Sequence, residues 1–344
     1  MLNESDRERF YNVFPSGFFI DSQNYLGLEV HLKRRSLLLA DDRITHVESA
    51  GDGNMNLTLR VSLETGRTFI VKQSRPWCEK YPQIRAPATR TQTEAKFYSL
   101  LASDELLSSM TPQILDFDGL SGILSVQDLV NAKDCSVIYI EKSFNSAAIR
   151  KLAAYLSRVH AKFTVSPRLE RLANLEMRAL NHEYIFLQPF SRAAAESLIS
   201  RDPDLIDFAE NSIWADRGLS TAAARLGSDY LSKGDALVHG DFFPGAWMAR
   251  GSELFVIDPE FAFHGQLEFD LGVVEAHFFL AGLPPASMEL FFSLYEGDYD
   301  RDQVSRYCGT EVIRRLIGLA GVPVSLTIFQ KESLLKGAIE SLKQ

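Results

Sequence analysis

The feature that most limits how this chain can fold is a change in the spacing of its apolar residues. From Ile44 to Gln73 three short segments, ITHVES, the alternating NLTLRVS and the apolar-centred TFIVKQ, are separated by AGDGN and by the ETG turn at Glu64 to Gly66. Period-two alternation broken by glycine turns predicts antiparallel hairpins. A basic, proline-punctuated loop from Ser74 to Pro87 leads to a helix from about Thr89 to Ala102, where Ala95, Tyr98, Leu101 and Ala102 recur at helical spacing. QILDF and GILSVQDL add two short strands. After Leu129 the pattern turns to amphipathic helices at Ser146 to Phe163, Ser191 to Leu198, Leu205 to Leu231, Glu268 to Ala281, Ala286 to Tyr295, Asp302 to Gly318 and Ser325 onward. Two β-rich segments, DALVHGDFFPGAWM and ELFVIDPEFAF, interrupt them. The expected fold is α+β, with a small antiparallel-sheet lobe over residues 1–129 and a larger, mainly helical lobe over 130–344.

Charge narrows the partners. Lys and Arg number 36 against 45 Asp and Glu, a net charge of −9, whereas coating nucleic acid requires a dense surplus of cations. The 46% hydrophobic and 24% charged content is ordinary for globular chains, which leaves no room for wholesale disorder, collagen or coiled coil. Cys78, Cys135 and Cys308 are far apart and form no C-x-x-C pair, which suits a reducing compartment. The charged start, MLNESDRERF, and the lack of any apolar run near 18 residues lead to the expectation of a cytoplasmic protein with no membrane partner.

Four places carry chemistry. Gly51-Asp52-Gly53-Asn54 lies between two predicted strands, where glycines let backbone N–H groups approach a polyanion. Asp-Gly and Gly-Asn are also the commonest hairpin turns, and on its own the segment favours a bare turn. Lys72 ends an apolar strand and Glu94 sits on the next helix; an ion pair between them would hold the ammonium for nucleotide phosphates, although a lone strand Lys is more often at the surface. His239-Gly240-Asp241 follows the apolar Ala236-Leu237-Val238. An Asp at such a strand end can accept or orient a hydroxyl proton, with His239 bracing the loop, or it can be a plain turn residue. Asp258-Pro259-Glu260 follows a second apolar strand. Carboxylates gathered at two neighbouring strand ends are costly without a cation, and hard oxygen ligands suit Mg²⁺ better than zinc. A paired-carboxylate hydrolase also uses such acids, yet leaves Lys72, Glu94 and the glycine turn without a role.

At this point the chain resembles the aminoglycoside phosphotransferase and choline kinase family of small-molecule kinases, and within it the methylthioribose kinase group. The resemblance is carried by GDGNMN, IVKQ, TEAKFY, ANLEMRALNHEYIF, VIDPEFAFHG followed by EFDLG, and VIRRLIGLAG, from about Ile44 to Gly321. It implies a protein-kinase-like fold, ATP and Mg²⁺ as cofactors, a sugar-like small-molecule acceptor and a homodimer. It further implies that Asp241 engages the acceptor hydroxyl, that Asp258 with Glu260 holds magnesium, and that Lys72 braced by Glu94 contacts ATP. Gly51, Gly53 and Asn54 would belong to the nucleotide loop. The backbone through Gln127, Asp128 and Leu129 would form an adenine-reading hinge near 126–129. Arg314 and Arg315 would lie near the sugar and its new phosphate. The chain departs from the family at Ala246, where related kinases hold magnesium through Asn, and at Phe243, where they carry His. The segment from Leu283 to Thr310 is short for the methylthioribose group. Ala246 leaves open a pseudokinase that binds nucleotide or metabolite, and the short segment leaves open a different alcohol such as choline or an aminoglycoside.

Overall fold

The computed structural model describes residues 4–21, 24–51, 55–166, 169–232 and 234–344. The chain divides into two compact units, one built from the chain up to Ala132 together with Asp258–Glu260, the other from Lys133–Ile257 and Phe261–Gln344.

In the first unit the alternating segments form strands β1 (Ile44–Ser49), β2 (Leu57–Leu63) and β3 (Thr68–Gln73), joined by β4 (Ile114–Asp118) and β5 (Ile123–Gln127). All pairs are antiparallel and the order is β1-β2-β3-β5-β4. Helices α1 (Glu4–Tyr11), α2 (Tyr25–Arg34), α3 (Arg90–Leu101) and α4 (Glu105–Ser109) complete it. Val47, Leu59, Val61, Leu63, Phe69 and Val71 share one sheet face, and Leu28 and Leu32 of α2 pack on it. Side chains along a strand point alternately to the two faces. Lys72, next after Val71, therefore leaves that apolar face for the opposite one.

The second unit is mainly helical. Its longer helices are α5 (Ser146–Lys162), α6 (Arg217–Leu231), α7 (Glu268–Leu280), α8 (Pro285–Leu294), α9 (Arg301–Leu316) and α10 (Ile328–Lys343). Two small antiparallel sheets accompany them. One pairs Ala236–Val238 with Phe263–Gly265; the other orders Lys133–Asp134, Trp247–Arg250 and Glu253–Val256. Helix α7 is buried nearly all round, including its polar Asp270, Glu275 and His277, and packs along α9. Starts follow local capping chemistry: Asp300 accepts N–H groups of Asp302 and Gln303, and Thr327 forms a capping box with Gln330.

Two expected helices differ. The stretch from Leu205 to Leu231 is broken, because Asp216 turns extended and its carboxylate accepts Leu219 N at 2.9 Å, starting α6 afresh at Arg217. The helix expected from Ser191 begins as a tight turn over Arg192–Ala194, and regular helix runs only over Ala195–Arg201. No helix among the described residues is long and apolar enough to cross a membrane, and the three cysteines are buried and unbonded to one another.

Candidate functional site

In the first unit Lys72 is buried between two carboxylates. Its Nζ lies 2.7 Å from Glu94 Oε1 and also contacts Asp258 Oδ1. Burial alone would discharge an ammonium; here Asp258 and Glu94 outweigh it and hold Lys72 above its ordinary range. Glu94, wholly buried, is pushed up by desolvation, with Lys72 opposing the shift. Asp258 adopts a left-handed backbone with φ of 61°, a conformation Asp tolerates better than most residues, and its N–H donates to Tyr98 Oη at 3.2 Å. Its side chain is 44% exposed, whereas that of Lys72 is 8% exposed, so the carboxylate is the accessible member of the pair.

Glu260 is turned to other partners. Its Oε2 accepts from Asn56 Nδ2 at 2.9 Å and lies 3.3 Å from Arg90 Nε. Burial, with the charges of Asp258 and Glu94, pushes Glu260 up to about 8 against the pull of Arg90. Arg90, itself fully buried, also donates to the carbonyls of Pro87 and Met55 at 2.7 and 2.8 Å, tying the loop before α3 to the segment entering β2. Gly51 has φ of 81° with open space where a side chain would stand. Gly53 and Asn54 lie outside the described residues. Asp128 accepts from Arg60 Nε and Thr68 Oγ1, both at 2.8 Å, so its carboxylate ties β2 and β3 to the segment after β5. Gln127 N donates to Gln113 O at 2.8 Å, and Leu129 is buried.

In the second unit the HGD loop is pinned from below. Asp270 of α7 accepts His239 N at 2.6 Å and Gly240 N at 3.0 Å. His239 is fully buried, its Nε2 is 3.0 Å from Ile257 O, and its Nδ1 accepts Asp241 N at 3.4 Å, the geometry of a bracing residue. Gly240 is required: φ is 84°, and an added Cβ would stand 2.3 Å from Phe261 O. The strands preceding Asp241 and Asp258, expected to be neighbours, belong to different small sheets and are linked instead through the His239 and Ile257 contact.

Asp241 is held by arginines. Arg315 Nη2 donates to Asp241 Oδ1 at 2.9 Å, and Arg314 Nη1 is 3.6 Å from the same oxygen. Among the described residues no protein hydrogen bond reaches Asp241 Oδ2. Both arginines are buried, 6% and 5% exposed, rather than solvated on the helix surface. Glu311 explains how: it accepts from Arg314 Nη1 at 2.9 Å and Arg315 Nε at 2.5 Å. Burial opposes charge on Glu311, but the two guanidiniums hold it well below the carboxylate range. Arg315 is raised, Glu311 and Asp241 together overcoming desolvation. Phe243 lies with its ring centroid 4.6 Å from Arg315 Cζ and 5.3 Å from the His277 ring, so the residue that replaces His packs the arginine. Ala246 is buried, and its carbonyl accepts Ile257 N at 2.9 Å.

Sequence reasoning did not single out Glu311, His277, Asp270, Arg90 or Asn56. Glu311 had a readable signal, since a carboxylate three and four residues before two arginines in TEVIRR faces both on a helix. Among the described residues no group of three or more His, Cys, Asp or Glu is placed to hold a metal ion.

Residues 46–304 match the Phosphotransferase enzyme family. The methylthioribose kinase of Exiguobacterium sibiricum is 28% identical over 262 residues, covering 73% of this chain and 65% of that protein, just under two thirds of its length. That of a Geobacillus species is 27% identical over 336 residues, covering 85% of this chain and 83% of the relative. Among solved structures, LicA in complex with AMP is similar at a TM-score of 0.53 and 16% identity, covering 91% of this chain and 98% of that one, a likeness of fold.

Proposed function

This chain belongs to the phosphotransferase enzyme family, and on that footing we propose that it moves the γ-phosphoryl group of ATP, with Mg²⁺, to a hydroxyl of a small sugar-like acceptor of the methylthioribose kind. The observation that carries the reading is Asp241, anchored through Oδ1 by Arg315 and with no protein hydrogen bond on Oδ2. A carboxylate held at one oxygen and open at the other is built to take a hydroxyl proton and aim the acceptor oxygen for in-line attack. Lys72, fixed by Glu94, offers a single buried cation to the phosphate oxygens. Because the Asp128 carboxylate is occupied by Arg60 and Thr68, any adenine contact at residues 126–129 falls to the backbone.

Magnesium fits the donor set of the first unit. It takes one or two carboxylates and completes its shell with substrate phosphates and water, so a cluster of three acids is not needed. Asp258 is the accessible carboxylate there, with Glu260 behind it pinned by Arg90 and Asn56. When bound, the ion supplies charge neutralisation to the transferring phosphoryl group.

The acceptor class follows from charge. Arg314 and Arg315 offset the charges of Glu311 and Asp241, so this cluster carries no surplus negative charge to draw a quaternary ammonium or a polycationic aminoglycoside, and guanidinium donors suit a neutral hydroxyl compound whose product is an anionic phosphate ester. One observation favours a second reading, nucleotide binding without transfer: position 246 offers no side-chain ligand. The test is ATP turnover by purified protein with methylthioribose, other pentoses, nucleosides, choline and aminoglycosides, with and without Mg²⁺. Stimulation by a neutral sugar supports the proposal. Stimulation only by cationic acceptors refutes the acceptor class, and Mg²⁺-indifferent ATP binding with no turnover supports the second reading. Size-exclusion chromatography with light scattering checks the expected homodimer.

A further inference from the structure

Behind Asp241 the second unit holds a file of buried polar side chains that stand back from the transfer step. Arg315 reaches from Asp241 to Glu311, Glu311 Oε1 lies 3.1 Å from His277 Nε2, and His277 Nδ1 lies 2.5 Å from Tyr139 Oη. Tyr139, His277 and Glu311 are each 1% exposed or less. Tyr139 is 138 residues from His277 in sequence, so the file joins distant parts of the chain.

Chemistry fixes the direction of each bond. An ionised carboxylate only accepts, so the proton between Glu311 and His277 sits on Nε2. A neutral imidazole carries one N–H, which leaves Nδ1 as acceptor and makes Tyr139 the donor. His277 is neutral because burial pushes it down to about 4 and Arg315 adds to the shift, while Glu311 already has two guanidiniums to balance it. The order is then Tyr139 to His277 to Glu311, with Arg315 donating both to Glu311 and to Asp241. Buried ionic networks are a weak route to stability, since apolar side chains of similar volume often serve as well or better. Three buried polar groups in line, ending on the arginine that hydrogen-bonds Asp241, call for a positional reason.

We propose that Tyr139, His277 and Glu311 form an oriented hydrogen-bond chain that positions Arg315 and, through it, Asp241 for phosphoryl transfer. This rests on the reading of Asp241 as the acceptor-orienting carboxylate. Glu311 is the positioning residue in contact with both arginines; its charge fixes the Nε2–H tautomer of His277, His277 sets the rotamer of Glu311, and Tyr139 holds the His277 ring through Nδ1.

The test crosses Tyr139→Phe with Arg315→Lys in initial-rate kinetics with ATP, Mg²⁺ and methylthioribose. Tyr139→Phe is the primary variant because it removes one hydroxyl and no charge, whereas Glu311→Gln leaves two buried guanidiniums without their carboxylate and risks misfolding. The expected result is a fall in kcat of about threefold to tenfold with the KM for ATP unchanged, and no further fall when Tyr139→Phe is added to Arg315→Lys, because residues acting as one unit are not additive. Equal effects in both backgrounds overturn the chain and leave Tyr139 a packing residue. Nitrogen NMR of His- and Arg-labelled protein supplies a readout independent of turnover: the chain requires the Nε2–H tautomer of His277 and a shift of the Arg315 Nε–H resonance in Tyr139→Phe. An Nδ1–H tautomer, or an unmoved Arg315 resonance, overturns it even if no acceptor is turned over, in which case the kinase reading fails separately.

Discussion

Replacing His277 with Gln will make the stability of this protein less sensitive to acid. Gln keeps an amide donor for Glu311 and an acceptor for Tyr139, but it does not titrate. In the folded chain burial lowers His277 from 6.5 to about 4, helped by Arg315 and opposed by the Glu311 hydrogen bond and by the charges of Glu311 and Asp241. The ring packs against Phe243 and accepts from Tyr139, so no water-exposed face offsets the cost of charging it. Below 6.5 the unfolded chain binds a proton that the folded chain refuses. The stabilising contribution of neutral His277 is therefore complete above about 6.5 and is lost as pH falls towards 4. A lowering from 6.5 to about 4 corresponds to about 3 kcal/mol in total, of which about 2 kcal/mol disappears between pH 7 and pH 5. Other histidines with lowered values, His31, His182 and His264, are common to both proteins and cancel in the difference. Urea unfolding of wild type and His277→Gln at half-unit steps from pH 8 to pH 5 measures it. The wild type should lose about 2 kcal/mol relative to the variant over that range. A difference that stays flat with pH would mean His277 is not held neutral by burial, and the bond directions argued above would fall with it.

Two further outcomes follow from the same geometry. Lys72→Met removes the cation paired with the buried Glu94, so unfolding free energy should drop by about 3–5 kcal/mol, and adding Glu94→Gln should restore much of it; nucleotide affinity stays weak in both variants, read by isothermal titration. Gly240→Ala forces a side chain against the Phe261 carbonyl at a left-handed φ and should cost at least about 1–3 kcal/mol, seen as a lowered Tm, with transfer lost because the backbone carrying Asp241 must move.

What could be read in advance was local. The apolar run of TFIVKQ between turns gave the strand that ends at Lys72, and Glu94 lay on the next helix; the face on which Lys72 sits, opposite Phe69 and Val71, follows from the strand as placed in the sheet. Asp241 was legible because a short apolar strand ends just before it, and the bracing of His239 followed from the same loop. The break before α6 was missed although Asp216 with Leu219 is a cap signal, because apolar periodicity runs unbroken across it and outweighed the cap. Arg314 and Arg315 were placed near the acceptor by the resemblance alone, since the Asp241 carboxylate that pairs with them is distant in sequence. His277 and Tyr139 drew no notice in the sequence, because nothing within either segment announces the other. Glu260 read as an open acid beside Asp258; its engagement by Arg90 and Asn56 depends on packing that spans more than half the chain.

The central claim is that Asp241 directs phosphoryl transfer to an acceptor hydroxyl. Rapid-quench measurement of γ-phosphoryl transfer from ATP to methylthioribose, in wild type and Asp241→Asn, tests it most directly. The account predicts product in the wild type and a single-turnover rate at least about 10²-fold lower in the variant, with ATP affinity unchanged. Transfer by Asp241→Asn at the wild-type rate would contradict it.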